Sequence, residues 1–270
     1  MWSAFKEVMV DLGSFAMGRA SVVGTSRPSS ADLIRNTDAV VIEKSSNEVL
    51  DTVTVVGQTG YVIIDQAPYF LKPKVSIDSM VGRFNYGDKL TIGGVKNSFV
   101  KVASLQQTQG WLSENAVTLE STAVFPDLVS GVVYDVNNLE TQKLRSYLHD
   151  EVLAGRLLLP LQSLEFVLYM LKITNCRFDW QQRKPRTPGS WQQLLRGSSG
   201  VSLGIEPRTG AVLEYAGGES EPFLAYVVAV HPDRSIQLQS VGRLTEGQYL
   251  DEVFSIEEWK KWRPIFVSFV

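Results

Sequence analysis

The chain has 270 residues, 44% of them hydrophobic and 20% charged, with a formal net charge of −3. That balance supplies apolar material for one to three cores and excludes a chain disordered throughout. It also lacks the electrostatic footprint of a nucleic-acid binder, because its most basic stretch, Arg183, Lys184 and Arg186, is broken by Pro185 and Pro188 and reads as a solvated loop.

Cys176 is the single cysteine, so no intrachain disulfide can form and the compartment stays open. The histidines, His149 and His231, have no ligand-spaced cluster around them, so neither a zinc site nor any other cofactor is expected. No apolar run approaches the roughly 18 residues of a membrane span. Lys6, Glu7 and Asp11 interrupt the N-terminal apolar stretch, so it does not read as a secretory signal.

Residues 1–18 place Trp2, Phe5, Val8, Met9, Leu12 and Phe15 at helical spacing, which predicts an amphipathic helix. It opens an irregular arm over 1–65, with strand-like runs at 39–42 and 53–56. The arm has too few periodic apolar residues for a core of its own. Protein partners are expected through it, against the plainer reading that its helix packs on its own body.

Residues 61–120 alternate short apolar runs with turns. The runs are Tyr61 to Ile64, Lys89 to Ile92, Phe99 to Val102 and Gly110 to Leu112; the turns are Tyr86-Gly87-Asp88 and Gly93-Gly94. Short strands at this spacing predict a small barrel over 66–120. The succession Phe84-Asn85-Tyr86-Gly87-Asp88-Lys89-Leu90-Thr91-Ile92, then Phe99-Val100-Lys101-Val102, then Gln109-Gly110-Trp111-Leu112 resembles the bacterial SH3-type domain. Phe99 departs from the tryptophan usual there. The resemblance implies binding to a cell-wall peptide or glycan, or a spacer role. Tyr69, Phe84 and Tyr86 are the candidate ligand-facing aromatics, with filling of the barrel core as the competing role.

A linker over 121–137, with Pro126 and Gly131, leads to and overlaps the start of a second module over 125–270. Leu139, Leu144, Leu148 and Val152 predict one helix, and Leu164, Val167, Leu168 and Leu171 a second, entered after Pro160. A loop with Trp191 follows; Trp191 is a further candidate binding residue. The chain then turns to strands at 211–215, 223–230 and 235–241, with His231-Pro232-Asp233-Arg234 as a hairpin turn. Helices followed by an antiparallel sheet predict an α+β class.

Three segments in order resemble the CHAP family of papain-like cysteine amidases and peptidases. They are Gln162-Ser163-Leu164-Glu165-Phe166-Val167, Pro207-Arg208-Thr209-Gly210-Ala211-Val212 and Pro222-Phe223-Leu224-Ala225-Tyr226-Val227. The resemblance implies a peptidoglycan or other cell-wall partner, a cell-surface or extracytoplasmic location, and a nucleophilic cysteine at a helix start. There the dipole and free N–H groups favour a thiolate, and a facing histidine takes its proton. In this chain Ser163 stands at the cysteine position, Phe223 at the histidine position, and Gln239 or Ser240 near the third. Loss of the base alone costs roughly 10² to 10⁴ in rate.

The expectation is therefore a catalytically vacated module acting as a cell-wall-binding or structural assembly subunit on a bacterial or phage-related surface. The alternative is a peptidoglycan amidase or endopeptidase with Cys176 or Ser163 as a non-standard nucleophile. Ser163 is expected as a helix N-cap, and Phe223 is expected to turn into the old groove against the start of the Ser163 helix.

Overall fold

The computed structural model describes residues 57–104, 109–176, 185–218 and 221–269. The amphipathic helix and most of the arm expected over 1–65 lie outside these residues. Among the described residues the class is α+β, with two sheets in which every pairing is antiparallel.

The first sheet contains β1 (Gln58–Val62), β2 (Ala67–Phe70), β3 (Met80–Phe84), β4 (Lys89–Lys96), β5 (Phe99–Ser104), β6 (Gln109–Ser113) and β7 (Val117–Thr118), in the order β3-β2-β6-β5-β4-β1-β7. Alternation does the sorting: in β4 Leu90 and Ile92 are buried while Lys89 and Thr91 are exposed. The expected boundary at 65/66 falls after the first strand, because Gln58 to Tyr61 pair with Ile92 to Lys89. Gly60 permits that pairing, since a Cβ there would meet Ile92 Cδ1 at 2.7 Å.

The second sheet contains β8 (Val201–Gly204), β9 (Val212–Tyr215), β10 (Phe223–Val230), β11 (Ile236–Val241), β12 (Tyr249–Phe254) and β13 (Ile265–Phe269), in the order β12-β11-β10-β9-β13-β8. One face carries Val212, Leu224, Tyr226, Val241, Tyr249 and Val267 and packs under α1 (Leu139–Leu148), α2 (Ser163–Ile173) and α3 (Trp191–Leu195). The other carries Leu213, Tyr215, Phe223, Ala225 and Leu238 and is covered by Trp259 of α4 (Ile256–Lys261) and by Trp262.

Local signals set the helix ends. The Asn138 side chain accepts the Glu140 N–H and caps α1. Ser255 and Glu258 exchange side-chain and backbone bonds at the start of α4, as the Ser-Ile-Glu-Glu pattern predicts. α2 is the central helix; Leu164 to Tyr169 and Leu171 are all buried.

An aromatic chain joins the first sheet to the helices. Tyr61 of β1 meets Phe125 edge to face at 5.5 Å, Phe125 meets Tyr147 of α1 at 5.1 Å, and Tyr147 meets Tyr169 of α2 at 5.8 Å. The segment expected as a plain linker thus supplies Phe125, a half-buried aromatic packed against the core.

Candidate functional site

The start of α2 is where the CHAP resemblance would put a nucleophile. Its N-cap is Gln162, not Ser163; Ser163 is the first helical residue and is half-buried. The capping function passes to Glu165, whose Oε2 accepts the Gln162 N–H at 3.0 Å. The same carboxylate is held by Arg145 of α1, with Nε–Oε1 at 2.9 Å and Nη2–Oε2 at 3.1 Å. Arg145 also donates to the Leu159 carbonyl at 2.8 Å and to the Pro160 carbonyl at 3.3 Å, fixing the entry to the helix. The positive end of α2 therefore already carries a buried, paired carboxylate. A second anion at Ser163 would meet that charge rather than a free dipole.

Phe223 does not face this helix, which corrects the expectation. Side chains alternate along a strand, and Leu224 and Tyr226 take the α2 face, so Phe223 and Ala225 point the other way. The Phe223 ring packs against Tyr215 at 5.4 Å and Trp262 at 5.6 Å on the far side of the sheet. The β10 side chain at this level of the α2 face is Leu224, fully buried and paired across strands with Glu214.

The two candidates for the third position split between faces. Ser240 is buried and pairs with Ala225 on the Phe223 face. Gln239 pairs with Tyr226 and gives its amide to Asp251 Oδ2 on β12 at 2.9 Å, while Gln237 serves Oδ1 of the same carboxylate at 2.8 Å.

Cys176 stands at the other end of α2. Asn175 takes a left-handed φ of 57°, and the Cys176 N–H returns to the Leu171 carbonyl at 2.9 Å, closing the helix C-terminus. Burial pushes the thiol up from its ordinary range, and the helix dipole at this end opposes a thiolate. His149 ends α1 and pairs with Asp65 at 3.0 Å and Asp150 at 3.3 Å; His231 lies in the β10–β11 turn.

The candidate binding aromatics are largely core. Tyr69 and Phe84 are buried and stacked on each other at 4.4 Å inside the first sheet, and Trp191 is fully buried among the helices. Their large apolar area favours the interior over a ligand face. Tyr86 is half-buried and donates its hydroxyl to the Val124 carbonyl at 3.1 Å. Sequence reading missed Glu214: its buried carboxylate accepts the Trp191 and Gln192 N–H groups, each at 2.6 Å, at the start of α3. A charged residue inside the apolar run of β9 was the available signal. The Gln162-to-Glu165 spacing was the signal for the helix start.

No family model matches the chain, and no curated protein does. Among solved structures, an N-acetylmuramoyl-L-alanine amidase from Staphylococcus aureus is similar at 12% identity and a TM-score of 0.34, over 40% of this chain. The chain spans 30% of that amidase's own length. A likeness at that level carries no weight for fold or chemistry. No helix among the described residues is long and apolar enough to cross a membrane.

Proposed function

We propose that the chain is a non-catalytic, cell-wall-binding or structural assembly subunit of a bacterial or phage-related surface, carrying a degenerate CHAP-like module after an SH3-type one. One observation carries the non-catalytic part. At the start of α2 the half-buried Ser163 stands beside a Glu165 carboxylate already paired with Arg145, and Phe223, at the expected histidine position, lies on the far face of the sheet. A serine hydroxyl needs a base to become a nucleophile, and a phenylalanine turned to the other face supplies none. The amidase alternative through Cys176 is disfavoured by position, because that thiol sits at the negative end of the helix and burial pushes its ionisation upward.

The cell-wall part of the proposal rests on the three ordered motifs of the second module and on the Tyr86-Gly87-Asp88 and Gly110-Trp111-Leu112 pattern of the first. The test is co-sedimentation of the purified chain with insoluble peptidoglycan. Retention in the pellet, reversed by soluble peptidoglycan fragments, is the expected result. A chain that stays in the supernatant across salt conditions overturns the binding reading.

A further inference from the structure

We propose that the pocket beside the C-terminal end of α2 binds small anions that also offer hydrogen-bonding groups. The pocket has a volume of about 580 Å³, within the range of roughly 300–1,000 Å³ usual for small-molecule sites. Asn175 and Cys176 come from the helix end, Arg208 and Thr209 from the turn before β9, Tyr226 from β10 and Ser268 from β13.

Charge selects the ligand class. Among the described residues Arg208 is the one charged side chain lining the pocket, and no Asp or Glu joins it. A guanidinium presents a planar fork that matches a carboxylate or phosphate with two parallel bonds. Its base is fixed by a tight turn: the Ala211 N–H returns to the Arg208 carbonyl at 3.0 Å, and Gly210 holds φ at 83°. The negative end of α2 opposes an anion, but three of its carbonyls are already bonded. The Met170, Lys172 and Leu171 carbonyls accept the N–H groups of Thr174, Asn175 and Cys176 at 3.1, 3.1 and 2.9 Å. An anion in the pocket thus draws on Arg208 beside a helix end whose Met170, Leu171 and Lys172 carbonyls are already satisfied.

Hydrogen-bonding capacity is unspent on the same walls. Thr174 donates to Met170 at 2.7 Å and accepts from Tyr226 at 3.4 Å, so those hydroxyls are committed. Among the described residues, the side chains of Asn175, Arg208, Thr209 and Ser268 have no such partner. They supply donors and acceptors around Arg208 for the polar remainder of a ligand.

Cys176, the single cysteine of the chain, is a built-in reporter. The full chain is treated with dianionic 5,5′-dithiobis(2-nitrobenzoate) or neutral 4,4′-dithiodipyridine. In each case the Cys176 thiolate attacks one sulfur, the S–S bond breaks and a mixed disulfide forms; the nitrobenzoate half leaves as an absorbing thiolate with the thiol proton going to buffer, and the pyridine half leaves as a thiolate that takes up a proton on its ring nitrogen to give the absorbing thione. The expected results are a saturating rate with the dianionic reagent and competitive slowing by inorganic phosphate. Arg208→Gln should lower the dianionic-to-neutral rate ratio about tenfold, the size of one lost charge-assisted contact, and Arg208→Lys should keep most of it. Arg208 is exposed, so the variants test the contact rather than folding. An equal ratio in all three proteins, or a rate linear in the dianionic reagent and unmoved by phosphate, overturns the proposal.

Discussion

Arg145 of α1 and Glu165 of α2 form a buried ion pair with two contacts, at 2.9 and 3.1 Å, and the same carboxylate closes the N-terminus of α2. Both side chains are almost wholly removed from water. Removing one partner leaves the other charged and buried. Arg145→Leu is therefore expected to cost about 3–5 kcal/mol in chemical denaturation. The double replacement Arg145→Leu with Glu165→Met should recover a large part of the loss. A single-variant cost below about 1 kcal/mol would show the pair to be solvated.

Glu214 makes stability depend on pH. Burial raises its carboxyl above the ordinary 4.5, and the N–H groups of Trp191, Gln192 and Gly189 oppose that rise. With the folded value above the unfolded one, the native state binds more protons within the window between them. Stability from this group is then greatest below the ordinary glutamate value and falls as pH rises through the raised one. The unfolding free energy of wild type minus that of Glu214→Gln should shift in favour of wild type as pH drops from 7 toward 4.5. A difference that moves the opposite way contradicts the assignment.

Gly87 is held at φ 83°, and any Cβ there would run into the Tyr147 ring of α1. Its N–H also bonds the Val62 carbonyl at 2.8 Å. Gly87→Ala combines backbone strain with overpacking and should cost about 1–3 kcal/mol. Tyr147→Ala in the same chain should relieve the overpacking share, so the two effects are non-additive in a thermal melt. Strict additivity would place the ring elsewhere.

Phe223→His puts a polar ring among Tyr215 and Trp262, on the face away from α2. The expected outcome is a loss of about 3 kcal/mol and no gain of hydrolysis, even in combination with Ser163→Cys. A double variant with an unchanged melting temperature and strong peptidoglycan hydrolysis would mean that residue 223 does reach the helix start.

Much of this architecture was written in local pattern, and the failures have physical causes. The strands around Leu90, Val100 and Leu112 read correctly because buried and exposed residues alternate between clear turns. The facing of Phe223 was not legible: β10 is apolar from Phe223 to Val230, since helices cover one side of the sheet and tryptophans the other. A strand buried on both faces carries no alternation to fix which side a residue takes. Ser163 looked like the cap because serine is a favoured cap. Glu165 moved the boundary one residue back by reaching the Gln162 N–H. Trp191 read as a loop residue, yet the Glu214 carboxylate accepts its N–H and the ring is buried.

The central claim is that neither end of α2, Ser163 at its start or Cys176 at its close, does hydrolytic chemistry. Its most direct test is clearing of a peptidoglycan suspension by purified wild type, Ser163→Ala and Cys176→Ala. The account predicts no clearing by any of the three above a buffer control. Clearing by wild type that disappears in either variant would contradict it and would identify the nucleophile.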